Sequence, residues 1–187
     1  MRLLIVGAPG AGKGSQAALL SARLGIPAIS TGDIFRAHVR DRTPLGIQVQ
    51  AIMQAGDYVP DSITNYLVRE RLAEPDTRRG FILDGYPRTP DQVEHLDAAL
   101  PTGLDSVIHL VVDAAELVPR LLGRGSSDGR ADDTPDAIRH RLAIYESVTE
   151  PILALYRARG LVVTVDESTG TDRKSTRLNS SHTMTSR

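Results

Sequence analysis

A glycine-rich segment near the start of the chain combines the residue types that bind phosphate. Residues 7–15 read Gly-Ala-Pro-Gly-Ala-Gly-Lys-Gly-Ser, and they follow the apolar run at 3–6 and open an apolar pattern with helical spacing. Glycines let backbone N–H groups approach phosphate oxygens, a helix N-terminus adds positive potential, and the amine of Lys13 can reach the β- and γ-phosphates. The strict pattern has Ser or Thr directly after the Lys, whereas here Gly14 intervenes and the hydroxyl is Ser15. An ordinary glycine-rich turn is the alternative, but strand, loop, Lys and helix together favour phosphate binding.

A carboxylate and several arginines could complete a site for phosphoryl transfer. Asp84 ends the apolar run at 81–83, the placement of a carboxylate that orients magnesium or its waters. Such an Asp is also a common helix cap or turn residue, but its continuation at 85–88, Gly-Tyr-Pro-Arg, strengthens the catalytic interpretation. Guanidinium groups stabilise the charge on a phosphoryl group in transfer. The candidates near predicted strand ends or in glycine-rich segments are Arg36, Arg88, Arg124, Arg130 and Arg141.

The arginine assignment leaves an alternative open at each position. Taken alone, each of these side chains would more often be a solvated surface residue, and placement near strand ends or in glycine-rich segments is what favours a role in the site. Arg139 competes with Arg141, because spacing alone does not separate them.

Alternating strands and helices must position these residues. The sequence predicts an α/β fold of the P-loop NTPase type, with a doubly wound, five-stranded parallel sheet and helices on both faces. The predicted strands are 3–6, 27–29, 80–85, 107–112 and 161–165. The predicted helices are 15–24, 33–41, 45–55, 61–73, 91–100, 116–122 and 135–159, the last kinked near Pro151. Ligands bind beyond the carboxyl ends of the strands in such sheets, and every motif above falls at such an end.

Bulk composition narrows the functional class. A length of 187 residues suggests one compact domain with small insertions, and a net charge of −1 argues against a general nucleic-acid surface. The absence of Cys removes disulfides and Cys-based zinc sites, and the five His show no ligand spacing. The apolar run at the start is too short for a signal peptide or a membrane span. We therefore expect a cytoplasmic monomer that binds neither nucleic acid nor membrane.

Several segments resemble the signatures of the adenylate kinases, a branch of the nucleoside monophosphate kinases. The loop at 7–15 and the segments 29–36 and 83–89 carry this resemblance, and 123–125, 129–133 and 139–142 resemble the family's lid and following helix. The resemblance covers about residues 1–171 and is to the bacterial type with a short lid. It implies a kinase domain over 1–171, with a core (1–29, 60–122 and 134–171), an AMP-binding insertion (30–59) and a short lid (123–133).

The resemblance also implies an activity, the reversible transfer of the γ-phosphoryl of MgATP to AMP to give two ADP, in purine nucleotide homeostasis. Implied ATP-binding residues are Gly10, Ala11, Gly12, Lys13, Gly14, Ser15, Arg124 and Gly170. Implied AMP-binding residues are Thr31, Arg36, Asp57, Tyr58, Val59, Gly85, Tyr86, Pro87, Arg88, Gln92, Arg130 and Arg141. Implied catalytic residues are Lys13, Asp84, Arg88, Arg124, Arg130 and Arg141.

The implied cofactor is magnesium alone. It would arrive with the nucleotide and be held through water near Asp84 and Ser15. No zinc is expected, because the lid is short and lacks Cys.

Three alternative functions share part of this sequence pattern. A UMP/CMP kinase of the same family shares the loop and the Gly-Tyr-Pro-Arg motif, but Thr31 and Gln92 at the positions facing the acceptor base favour adenine. A P-loop regulatory switch would need Ser or Thr directly after Lys13 and a guanine-reading motif, and neither is present. A non-catalytic nucleotide-binding relative is the third.

The last residues of the chain do not fit the pattern before them. Residues 172–187 are polar, with only Leu178 and Met184 as large apolar side chains, so they cannot present an apolar stripe to the sheet. They also resemble one translated frame of a sequencing adapter. We expect the natural sequence to end near Thr171. A genuine disordered tail is the alternative.

Overall fold

The computed structural model describes residues 1–127 and 133–166, with side chains for all of these except 124–127. The predicted site residues Arg130 and Gly170 lie outside this range, as do the middle of the predicted lid and the segment 172–187. Of Arg124 only the backbone belongs to the description.

Five parallel strands form one sheet, which confirms the predicted fold class. In chain order they are β1 (Arg2–Gly7), β2 (Ala28–Ser30), β3 (Phe81–Asp84), β4 (Ser106–Val111) and β5 (Val162–Asp166). The order across the sheet is β2-β3-β1-β4-β5. The register sets Asp84 beside Ile5 on one side and beside Ser30 on the other, so the motifs that follow β1, β2 and β3 meet at one edge.

Eight α-helices and two shorter turns connect the strands in the described part of the chain. The helices are α1 (Lys13–Leu24), α2 (Thr31–Arg40), α3 (Pro44–Ala55), α4 (Asp61–Leu72), α5 (Pro90–Ala99), α6 (Ala114–Ser127), α7 (Pro135–Ile144) and α8 (Ile152–Ala158). A 3₁₀ turn covers Pro75–Arg79 and a π-helical turn covers Tyr145–Thr149. Three of the helices, α3, α5 and α7, begin at a Thr-Pro pair. In each pair the Thr hydroxyl accepts a backbone N–H and Pro takes the first helical position, which needs no N–H donor.

Two predicted boundaries are wrong. The loop expected over 123–133 is wrong for residues 123–127, because α6 continues to Ser127. Glycine within a helix costs only about 1 kcal/mol relative to Ala, and α6 is anchored by the fully buried Leu121, so Gly123 does not end it. The single helix expected over 135–159 is divided by the π-helical turn before Pro151, whose missing N–H cannot continue the ladder.

The core lies on both faces of the sheet. One face of β1 packs through Leu4 against α4, α5 and α8, and the other packs through Ile5 against α1 and α6. A third apolar cluster, centred on Phe35 and Val49, belongs mainly to α2 and α3, so these two helices have a small core of their own. None of the helices in the described ranges is long and apolar enough to cross a membrane.

Candidate active site

The glycine-rich loop folds tightly around the amine of Lys13, the first residue of α1. Its Nζ donates hydrogen bonds to the carbonyl oxygens of Gly7 (2.8 Å) and Ala8 (3.0 Å). Gly10 has φ +89°, and a Cβ there would lie 3.0 Å from the carbonyl oxygen of Leu117. Only glycine therefore fits this turn without strain. The loop is fixed between β1 and α6 and presents the N-terminus of α1 to the cleft.

Ala11 differs from its neighbours in the loop. Its side chain is fully buried in the core, and its N–H donates to the carbonyl oxygen of Ala8 at 3.0 Å. The other predicted loop residues, Gly10, Gly12, Gly14 and Ser15, line the cleft together with Lys13.

The carboxylate of Asp84 faces the first turn of α1. A Cβ placed on Gly14 would lie 3.8 Å from its Oδ2, and Asp84 and Ser15 line the same hollow. Magnesium in nucleotide sites is held by one or two carboxylates, hydroxyls and the phosphates, so this donor set fits it. Within residues 1–127 and 133–166 there is no cluster of three His, Asp or Glu that would enclose a metal without phosphate.

Three adjoining hollows form one cleft along the carboxyl edge of the sheet. The first surrounds the loop, the second lies over the ends of β1 and β3, and the third lies between the sheet and helices α2 and α3. Lys13, Asp84 and Arg36 line both the first and the second. Arg36, Arg88 and Arg141 line both the second and the third. Cationic side chains therefore occupy both junctions between the hollows.

The third hollow collects most of the residues expected to bind the acceptor. It is lined by Thr31, Arg36, Asp57, Tyr58, Val59, Gly85, Arg88, Gln92 and Arg141. Tyr86 and Pro87 line the second hollow instead. The phenol of Tyr86 is fully buried and donates to Oδ1 of Asn65 at 2.8 Å, and its burial raises the pKa of this side chain.

The polar atoms of Thr31 and Gln92 have fixed orientations. The Thr31 hydroxyl donates to the carbonyl oxygen of Gly85 at 2.9 Å. The amide oxygen of Gln92 accepts the backbone N–H of Arg88 at 2.7 Å, and its Nε2 donates to Oδ1 of Asp61 at 2.6 Å. A backbone N–H can only donate and a carboxylate accepts, so the amide has one possible orientation. The Thr31 hydroxyl thus retains acceptor capacity, and the Gln92 amide keeps one further N–H donor.

The arginines of the cleft are held by neighbouring oxygens. Arg36 contacts Asp33 at 2.5 Å, and Nε of Arg88 donates to the carbonyl oxygen of Gly85 at 2.7 Å. Arg141 donates to Asp133 at 3.0 Å, and that carboxylate is completely buried.

The structure also separates Arg141 from its competitor. Arg139 is 70% exposed, pairs with Asp136 and lines none of the three hollows, whereas Arg141 is 13% exposed and lines two of them.

The cleft residues that sequence reasoning did not assign include Arg120 and Tyr145. Arg120 lines the first hollow, around the loop, and its guanidinium donates a hydrogen bond to the carboxylate of Glu116 at 2.6 Å. Its position four residues before Arg124 puts the two on one helix face, a signal that was available in the sequence. Tyr145 lines the second hollow, and its burial raises the pKa of the phenol to about 12. No sequence motif marks this tyrosine.

The site combines a glycine-rich loop after β1, an acidic residue at the end of the adjacent strand and arginines across a shared cleft. This combination defines a P-loop phosphotransferase. The family model for adenylate kinase matches residues 5–161 of the chain. An adenylate kinase of Kocuria rhizophila is 57% identical over 168 residues, covering 88% of this chain and 89% of the relative. Adenylate kinases of Leifsonia xyli subsp. xyli and Thermobifida fusca are 56% and 52% identical, covering 88% and 89% of this chain and 84% and 89% of the relatives. The chain belongs to the adenylate kinase family, as the sequence motifs predict.

Proposed function

We propose that the chain catalyses reversible transfer of the γ-phosphoryl of ATP to AMP, giving two ADP. One observation carries the proposal. The first hollow, which contains Lys13 and Asp84, and the third hollow, next to α2 and α3, belong to one cleft. Arginines line the junctions between the parts of this cleft. Two nucleotides bound at the two ends would direct their phosphates toward each other.

The loop end of the cleft suits ATP. The N-terminus of α1 and the N–H groups around Gly12 and Gly14 would hold the β- and γ-phosphates, and Lys13 would turn from its loop carbonyls to the transferred group. Arg120 and Arg124, which both belong to α6, would bind ATP as well. When bound, magnesium would neutralise phosphate charge, with Asp84 and Ser15 as the residues that hold it through water. Gly170 and Arg130 are assigned by family resemblance alone.

The other end of the cleft suits adenine. The Watson–Crick edge of adenine offers an amino donor and a ring-nitrogen acceptor, which complement the lone pair of Thr31 and the remaining N–H of Gln92. Guanine and uracil present the opposite order at that edge, a carbonyl oxygen and an N–H. Cytosine matches adenine in polarity but not in size, so we propose that distance from the phosphate site selects the purine.

The reaction needs little from the protein beyond position and charge. The phosphate of AMP is already an anionic nucleophile, so no general base is required. Lys13, Arg88 and Arg141 would stabilise the charge on the equatorial oxygens. We propose that residues 30–59 form the AMP-binding insertion, for which their own apolar cluster is support. We further propose that residues 123–133 act as the lid that excludes water, and that the protein is a cytoplasmic monomer.

An assay of ADP formation tests the proposal. With ATP and magnesium, AMP should give rapid turnover, and CMP, UMP and GMP should give little. Removing magnesium with EDTA should abolish turnover. Rapid turnover only with UMP or CMP would replace the proposal with the pyrimidine alternative. Nucleotide binding without ADP formation would favour a non-catalytic relative. Sedimentation of the purified chain tests the monomer.

A further inference from the structure

Tyr58 lies in the connection between α3 and α4 and lines both the second and the third hollow. Tyr58 is among the AMP-binding residues that the family resemblance implies. We propose that this side chain is a positioning residue, which holds the guanidinium of Arg88 in the orientation that receives the AMP phosphate. The inference rests on the proposed function, since it concerns the acceptor end of that cleft.

The ring of Tyr58 packs against the cation. Cζ of Arg88 lies 4.8 Å from the ring centroid, within the range of a cation–π contact. The N–H groups of a guanidinium point outward in its plane, so a ring against one face leaves the edge donors able to bind phosphate. One of them, Nε, is already held by the carbonyl oxygen of Gly85. The ring and this hydrogen bond together fix both the plane and the rotation of the group.

The hydroxyl of Tyr58 ties the same unit to the core. Thr149 Oγ1 donates to the carbonyl oxygen of Arg88 at 3.1 Å and lies 2.7 Å from the Tyr58 hydroxyl. Because the Thr hydroxyl has one proton and gives it to Arg88, the Tyr hydroxyl must be the donor to Thr149. Tyr58 therefore contacts the Arg88 side chain directly and supports its backbone through one intermediate.

This arrangement reduces the conformational entropy that the Arg88 side chain would lose when AMP binds. A free Arg side chain loses several rotameric degrees of freedom when it grips a phosphate, and a pre-oriented one loses fewer. The benefit should appear in AMP affinity and not in ATP affinity. A ring that only filled space would instead affect the stability of the fold.

The test compares Tyr58→Leu and Tyr58→Phe with a matched control, Tyr66→Leu. Tyr66 also carries a stacked guanidinium, that of Arg69 at 5.3 Å, but it is 58% exposed and lines none of the three hollows of the cleft. The Kd values for AMP and for ATP are measured by titration calorimetry, the KM and kcat by ADP formation, and the fold by thermal denaturation.

Tyr58→Leu should weaken AMP binding about 5- to 10-fold, the size of a partly desolvated cation–π contact, and leave ATP binding unchanged. Tyr58→Phe keeps the ring and should lose only about 2- to 3-fold through the hydroxyl. The Tyr66 variant should match the wild type in both affinities. If the Leu variant does not fold, Tyr58→Met takes its place with the same expectation.

Equal loss in the Leu and Phe variants, equal loss of ATP and AMP binding, or unchanged AMP binding would each overturn the inference. Wild-type protein that forms ADP while Tyr58→Leu binds AMP normally would sink this inference and leave the proposed function standing. Wild-type protein that neither binds AMP nor forms ADP would remove both.

Discussion

Replacing Gln92 by Leu tests how the acceptor base is chosen. The side chain is 1% exposed, and its two polar ends serve the backbone N–H of Arg88 and the carboxylate of Asp61. Leu is close in volume but removes the proposed donor to the adenine ring nitrogen. The substitution therefore alters recognition without opening a large cavity.

The expected effect on AMP follows from burying an unpaired polar atom. Leaving the adenine nitrogen without its donor costs about 1–3 kcal/mol, so kcat/KM for AMP should fall about 10- to 100-fold. The values for UMP and GMP, which gain nothing from the wild-type donor, should change much less. Discrimination between AMP and these nucleotides should shrink by the same factor.

The expected effect on stability comes from the two groups that lose their hydrogen bond to Gln92. The N–H of Arg88 and one oxygen of Asp61 each lose a hydrogen bond, for a total of about 2–4 kcal/mol. At about 2–4 °C per kcal/mol for a chain of this size, the melting temperature should fall by about 5–15 °C.

The assay is coupled ADP detection at saturating ATP with each monophosphate, run below the melting temperature of the variant. Gln48→Leu, at an exposed position on α3, is the matched control and should change neither kcat/KM for AMP nor the melting temperature. A folded Gln92→Leu enzyme with wild-type kcat/KM for AMP would refute the reasoning about base recognition. A wild-type melting temperature for Gln92→Leu would refute the expected loss of stability from the two hydrogen bonds.

Three further predictions concern other parts of the molecule. Lys13→Met should lower kcat by about 100-fold or more while the fold persists, because it removes one cationic donor to the transferred group. Asp133→Ala should destabilise the fold by about 1–3 kcal/mol in chemical denaturation, because it removes the charge-assisted hydrogen bond between the buried carboxylate and Arg141. Burial, and secondarily Arg157, lowers the pKa of His109, so below about pH 6.5 the unfolded chain binds a proton that the native chain resists. Stability should then fall as the pH falls, and His109→Asn should flatten that dependence.

Each of these has a distinct opposing result. Normal turnover by the Lys13 variant would remove that amine from the mechanism. A denaturation midpoint unchanged in Asp133→Ala would mean that solvent or other groups satisfy Arg141. An identical pH dependence in wild type and His109→Asn would assign the acid sensitivity to other groups.

Local sequence patterns are enough to predict the strands, the glycine-rich loop and several helix starts. Five short apolar runs separated by helical patterns specify the parallel sheet, and the loop at 7–15 and the carboxylate of Asp84 follow their strands directly. Helix starts were also readable, since Thr43, Thr89 and Thr134 stand before Pro. These signals depend on neighbours within a few residues, so a linear pattern contains them.

The side chains that face the cleft, and the polarity that they present there, depend on how the whole chain packs. Arg139 and Arg141 are about 200° apart around one helix, and packing alone determines which of the two turns inward. The hydrogen bonds that orient Thr31 and Tyr58 join residues 54 and 91 positions apart. Contacts of that separation arise from the folding of the whole chain, and no local spacing encodes them.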